Sequence, residues 1–551
     1  MARTPLLRSL VQLVTDHAAA QERMRRPDDI RAERAEARDR HVRDGISRRD
    51  FLVGSAAAGA ALALAGTTGF APRVRAAGPR IAIVGGGIAG LTAALTLADK
   101  GVASTVYEAA DRIGGRMHSD ARGYWLDGQT REWCGELIDS NHKTILSLAQ
   151  RYRLATVDLL GAEPNGAEDT YRFFGEYYPK EEADSDFQRI HQALQRDVWA
   201  ASYPTLYNLN TPGGVILDHM SVYDWIESRV PGGHTSPMGG LLDIAYNIEY
   251  GAETTDQASL NLVYLLGYKA RPGNFSIFGL SDERYHIAGG NERLPQAIAA
   301  DISARGSAIR TGMRMTGIAR RSDGTYAVSF DGVRNPVIAD QVVLALPFAV
   351  LRTLDYRRAG FDDLKDTAIQ DLGRGRNDKL QLQFDSRLWN GTGPWPGISN
   401  GSSYADTGYQ NTWDVSRGQA GSRGILVDYT GGDVAGSFSP STPYSDASSA
   451  LVVSYATAFL GQLEPVFPGI SALWNGKATL SAPALDPNLN CSYSYWRVGQ
   501  YTAFSGYEKV RQGNVHFAGE HCSQDFQGFM EGGASEGARA GGEILTDIKF
   551  G

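Results

Sequence analysis

The 551-residue sequence predicts an α/β protein: a discontinuous domain of Rossmann type, a mixed-sheet second domain and a helical insertion. Three observations carry this. The first is the run Ile81-Ala82-Ile83-Val84-Gly85-Gly86-Gly87-Ile88-Ala89-Gly90, answered by Glu108 and then by Gly114-Gly115-Arg116. The second is the return of short apolar strands and glycine turns at residues 285–295, 340–347 and 515–534. The third is the change of pattern in between: mainly helical from about 151 to 284, strands and loops from 348 to 500.

The chain opens on an address. Ser47-Arg48-Arg49-Asp50-Phe51-Leu52 is a twin-arginine pattern, an Ala/Gly/Leu stretch runs on through Ala65, and Val74-Arg75-Ala76 suits cleavage before Ala77. Residues 1–76 are therefore read as a signal with a charged leader, implying the twin-arginine export machinery and a periplasmic or extracellular location. The bland alternative is that Arg48 and Arg49 cap an alanine-rich helix. Residues 20–45 alternate Arg, Glu and Asp and fit a solvated helix or an unstructured leader.

The glycine run comes next, and its parts have separate tasks. Gly85 makes a tight turn, Gly87 lets the backbone approach a pyrophosphate, and Gly90 lets the helix beginning near Ala89 lie against the strand. Leu91, Ala94, Leu95 and Ala98 come after it at helical spacing, Gly101 suits a C-cap, and Val102–Tyr107 reads as a second strand. Glu108 ends it, where a ribose hydroxyl would be bound. A glycine triad alone is weak evidence; here the strand, helix and acid agree with it.

The stretch beginning at the acid narrows the ligand. Glu108-Ala109-Ala110-Asp111-Arg112-Ile113-Gly114-Gly115-Arg116-Met117 resembles the flavin-dependent amine oxidase family of monoamine, polyamine and L-amino-acid oxidases. The resemblance implies FAD rather than NAD, held in a GR2-like domain of residues 77–150, 285–347 and 501–551, with Arg116 and Met117 at the pyrophosphate and flavin end. It also implies that Met315 touches adenine, that Glu520 bonds the ribityl chain, and that a helix beginning near Phe529-Met530 points its positive end at the flavin. The closing stretch Val515–Glu520 and Gly528–Ala534 is a close match to the family's last motif.

Residues 151–284 and 348–500 would form the substrate side. Lys379, at the start of the alternating run Lys379–Phe384 before Leu388-Trp389, reads by itself as a half-buried strand with a solvated end. The resemblance instead gives Lys379 a catalytic role, holding a water against flavin N5, and makes Phe529 one wall of an aromatic cage. The loop Asn390–Trp413 fits either a lid or a surface connection.

Composition excludes some partners. A net charge of −8 argues against nucleic acid, and no apolar run of about 18 residues suggests a membrane span. Cys134, Cys491 and Cys522 are an odd count with no metal-site spacing, so neither a disulfide framework nor a metal is expected. A homodimer is left open.

The activity the resemblance implies is oxidation of a neutral amine by FAD, with O2 as acceptor and hydrogen peroxide as product. Trp133–Ile138 and Gly519–Cys522 look most like bacterial L-amino-acid oxidases, so L-amino acids are the expected substrates and simple amines or polyamines the alternative. One departure matters: Glu136-Leu137-Ile138 stand where amino-acid oxidases place a carboxylate-binding arginine. Arg497, beside Trp496, and Arg284 are the candidates to replace it. FAD is expected to be non-covalent, with a linkage to Cys491 as the lesser alternative.

Overall fold

A computed structural model describes residues 78–120 and 123–550. The leader, residues 1–76, lies outside them.

At the centre of the first sheet is Ile81–Val84, four apolar residues all buried. Its neighbours are parallel, and the strand order is Val515–Phe517, Gln341–Leu344, Ile81–Val84, Thr105–Tyr107, Ala308–Arg310. Five strands from three separate stretches of sequence, 81–107, 308–344 and 515–517, therefore meet in one sheet. The register aligns Val84 with Leu344 and Tyr107, so all three strands end at the same edge. In open parallel sheets that edge is where ligands bind.

Two helices cover one face of this sheet. Ile88–Ala98 is buried almost throughout. Met530–Phe550 crosses it at unusually close range. A Cβ added to Gly533, Gly537 or Gly541 would lie 2.9 Å from Ile88 Cγ2, 2.1 Å from Ala89 O and 2.9 Å from Ala93 O respectively. Glycines four apart lie on one helix stripe, so the last helix is locked to the first by the absence of side chains. This is how a segment more than four hundred residues downstream reaches the glycine turn.

The second sheet is mixed and has eight strands: Tyr444–Asp446, Trp474–Ser481, Asn377–Phe384, Gly424–Gly431, Asn411–Asp414, Ile398–Ala405, Ala167–Phe173 and Glu176–Tyr177, in that order. Two expectations change here. The stretch Asn390–Trp413 is neither a lid nor a mere connection, since it supplies the strand Ile398–Ala405 and the start of the next. The Lys379 strand is not half-buried either. All eight residues of Asn377–Phe384 are buried, because the helix Ala450–Leu463 packs Val452, Ala456 and Phe459 over Leu380, Leu382 and Phe384. Trp389 belongs to that core, 5.9 Å from the Phe384 ring, and not to a ligand site.

The insertion between the sheets is helical, with strands Ala167–Phe173 and Glu176–Tyr177 on the rim of the second sheet. Its helices include Lys180–Ala201, Pro212–Asp218, Val222–Arg229, Pro237–Tyr250 and Ser259–Gly267. Thr211, Ser221 and Ser236 cap three of them, each hydroxyl accepting from the N–H three residues on, and proline starts two. Trp225, Tyr246 and Phe187 fill their shared core. No helix among the described residues is long and apolar enough to cross a membrane.

Candidate active site

One continuous cavity runs from the glycine turn through to the second sheet and the helical insertion. Its first half is backbone. Gly85, at φ +107°, could carry no Cβ, which would lie 2.5 Å from Ala345 O. Gly87 is different: a Cβ there would find nothing closer than 4.0 Å, so its bare face belongs to the cavity. Gly87 stands at the N-cap of Ile88–Ala98 with no side-chain cap, leaving the first-turn N–H groups to a ligand. Gly90 does not line the cavity. Its Cβ would sit 2.0 Å from Gly85 O and 3.2 Å from Ile83 Cγ2, so its task is packing and not ligand contact.

Glu108, at the end of Thr105–Tyr107, faces the cavity with its carboxylate accepting from Gly86 N–H at 2.6 Å and Ala110 N–H at 2.8 Å. Burial raises its pKa, against those two bonds. Ala89, Met117 and Met315 line the same groove. Farther along, Arg116 Nη1 donates to Ser492 O at 2.8 Å and Glu520 Oε1 at 2.9 Å. Glu520 also accepts from Ser494 Oγ at 2.8 Å and from Gly528 N–H at 2.9 Å. Burial alone would raise the Glu520 pKa, yet the Arg116 charge, His521 and these bonds hold it below its ordinary value. The groove thus joins a bare glycine turn, two helix N-termini and an anchored arginine. A negatively charged dinucleotide with a flat polar ring fits that set.

The second half is made of side chains. Residues directly opposed across strands share a face; Lys379 opposes Tyr429, and Tyr429 opposes Asn411, so all three look into the cavity with Trp413. Lys379 Nζ donates to Cys134 O at 2.8 Å and to Glu136 Oε2 at 2.7 Å, and Trp413 Nε1 donates to the other Glu136 oxygen at 2.9 Å. Phe529 lines the cavity and meets His142 edge-on, ring centroids 5.1 Å apart. Tyr493 stands beside it: its ring would be 3.8 Å from a Cβ on Gly528, and its hydroxyl is tied to Tyr429 Oη and Ile248 O, each at 2.9 Å. Trp496 lines the inner wall, its ring 5.0 Å from that of Tyr501. Met530, below, touches the space a Cβ on Gly135 would take, at 3.3 Å.

The outer chamber is acidic. Glu163, Asp169, Glu249, Asp282 and Glu283 line it, against Lys180 and Arg417. Arg417 is ion-paired with Glu163 at 2.5 Å, and Lys180 with Asp184. Burial, then repulsion from Asp139, pushes the Glu283 pKa up to about 8.

Two arginines expected at a substrate carboxylate are elsewhere. Arg497 makes three hydrogen bonds to Asp256, at 2.9 to 3.0 Å, on an exposed rim, and does not line the cavity. Arg284 is held by Asp158 at 2.6 and 3.0 Å, also outside it. Both point away because a nearer aspartate takes the guanidinium. Cys491 does not line the cavity either. It is buried, its thiol donates to Leu489 O at 3.4 Å, and burial pushes its pKa up to about 11. Three contributors escape the sequence reading as site residues: Glu136 as the partner of Lys379, Tyr493 as an aromatic wall, and Glu283. Tyr493 carries a weak local signal, an aromatic two residues past Cys491.

Residues 88–545 match the family described as flavin containing amine oxidoreductases, and residues 45–65 match a twin-arginine translocation signal. The second match gives the chain the address of the twin-arginine export route. Among relatives, Polyamine oxidase 2 of Arabidopsis thaliana is 25% identical, over 85% of this chain and 88% of its own length. Pseudooxynicotine dehydrogenase of a Pseudomonas species is 23% identical over 92% and 97%. The L-amino acid dehydrogenase of Synechocystis is 23% identical over 84% and 94%. The solved structure of a cyclohexylamine oxidase from Brevibacterium oxydans superposes with a TM-score of 0.70 at 19% identity, covering 86% of this chain and all of that one.

Proposed function

The chain belongs to the flavin-containing amine oxidoreductases, and from that premise we propose that it oxidises amines carrying a second positive charge, such as diamines or polyamines. The carrying observation is the outer chamber, where Lys180 and Arg417 are already paired with Asp184 and Glu163 while Asp169, Glu249 and Asp282 add negative charge, joined by Glu283 above about pH 8. A carboxylate substrate would meet that field head-on; a cation would be drawn through it.

Bound FAD supplies the two-electron acceptor: the carbon beside the amino group gives up hydride, water hydrolyses the imine to a carbonyl compound, and O2 takes the electrons on as hydrogen peroxide. The chain's own residues do the rest. The first turn of Ile88–Ala98 would hold the diphosphate, and Arg116 with Glu520 would hold the middle of the cofactor. The N-terminus of Met530–Phe550 would stabilise negative charge on a bound flavin. Tyr493 and Phe529 form a narrow slot that orients a flat or extended amine and keeps bulk water from its reacting carbon. Lys379, fixed by Glu136 and the Cys134 carbonyl, keeps one further N–H to hold a water in that slot. The FAD is read as non-covalent, supported by the position of Cys491.

L-amino acids remain the second reading, and one residue favours it: Arg417 reaches the chamber and would have to leave Glu163 for a substrate carboxylate. Peroxide release from the purified exported protein distinguishes the two. Putrescine, spermidine and cadaverine are expected to give it; the common L-amino acids are not. Activity on L-amino acids alone would overturn the proposal.

A further inference from the structure

Glu136 closes the turn that carries Cys134 and Gly135 past the flavin end of the cavity, where a Cβ on Gly135 would lie 3.3 Å from both Arg116 O and the Met530 side chain. Both of its oxygens are taken, one by Lys379 Nζ at 2.7 Å and one by Trp413 Nε1 at 2.9 Å. The side chains of Lys379 and Glu136 are 8% and 7% exposed, so water screens neither charge well. The lysine ammonium also sits 5.3 Å from the centre of the Trp413 ring, whose indole N–H holds its partner. Lys379, Glu136 and Trp413 therefore form one fixed unit, contributed by the Asn377–Phe384 strand, the 133–138 turn and the Asn411–Asp414 strand.

The electrostatic consequence is specific. Without Glu136 the cavity wall beside the flavin would carry a lone ammonium, the natural partner of an α-carboxylate. With Glu136 the wall is neutral overall, and the ammonium's charge is matched by the carboxylate that holds it. A neutral amine meets no penalty there; an amino acid's carboxylate would have to displace Glu136 to reach the Lys379 ammonium.

We propose that Glu136 determines the substrate class of this site: by neutralising Lys379 it excludes carboxylate-bearing substrates and admits amines. The proposal rests on the amine-oxidase reading above, but it makes a prediction about ligand binding that does not need turnover. Benzoate is the probe, titrated into FAD-loaded protein and followed by the flavin absorbance change. The wild-type protein is expected to show no saturable change. Glu136→Gln, which keeps side-chain volume and removes the charge, is expected to bind benzoate at least tenfold more tightly than wild type, and Glu136→Met to do the same. Adding Lys379→Met to Glu136→Gln should abolish the gain, and Glu136→Asp should retain exclusion. A Glu136→Gln protein that gains no benzoate affinity, or a gain that survives Lys379→Met, overturns the proposal. If wild type oxidises no amine, the functional reading fails while the benzoate series still reports on Glu136.

Discussion

The two halves of the cavity are built on opposite plans. The flavin half is built largely on backbone: bare glycines at 85 and 87, a helix start at Gly87 without a side-chain cap and a glycine stripe on the last helix. The substrate half is made of side chains delivered by separate strands and loops, with Lys379, Glu136, Trp413, Tyr493 and Glu283 each from a different stretch of sequence. Backbone recognition needs particular residue types at fixed local spacing, so it leaves a readable motif. Side-chain recognition needs only that the fold bring the right groups together, and its residues look ordinary one by one.

Breaking the backbone half should do the most damage. Gly90→Ala would press a methyl into Gly85 O at 2.0 Å, and relief requires parting the helix from its strand. A cost above about 3 kcal/mol is expected from such overpacking, read as loss of thermal stability and a colourless product. Retention of stoichiometric FAD by this variant would show that the helix can shift. Breaking the side-chain half should leave colour and remove chemistry. Lys379→Met is expected to keep FAD bound and to slow turnover by about 100-fold or more, the scale of a lost proton-handling group; unchanged turnover would take Lys379 out of the mechanism.

Glu283 sharpens the contrast through pH. Its carboxyl is protonated below about 8 and ionised above it, so attraction for a cationic substrate should grow as pH rises through that value. Glu283→Gln is expected to raise KM for a diamine roughly tenfold at about pH 9, a charge-assisted contact's worth. The two proteins should converge well below the Glu283 pKa, and a monoamine should show no such difference. Equal KM values on the alkaline side would remove Glu283 from substrate binding. The smallest effect belongs to Phe529→Leu, which keeps an apolar wall and loses an aromatic face. About 1 kcal/mol, a several-fold rise in KM with FAD unaffected, is the expectation.

The same division explains which parts were legible in the sequence. The strand, turn and helix at 81–98 were legible because hydrophobic period and glycine spacing are local, and Glu108 came at its expected distance. The parallel sheet assembled from distant stretches was legible because each returning strand ended on its own short motif. The Lys379 strand misled by its alternation: polar Gln381 and Gln383 are buried as deeply as Leu380 and Leu382, since one face lies under a helix and the other donates to Glu132 O, Leu126 O and Gln129. Arg497 and Arg284 were reasonable as cations near an aromatic stretch, but only three dimensions reveal Asp256 and Asp158 beside them. Glu136 was visible as a departure from pattern, and its meaning came only with Lys379 2.7 Å away.

The most direct test mixes the purified protein with putrescine in the absence of oxygen and follows the flavin absorbance. A yellow protein that bleaches with the diamine and stays yellow with L-amino acids is the expected result. A protein that remains colourless when offered FAD, or one bleached by L-amino acids and untouched by amines, would contradict it.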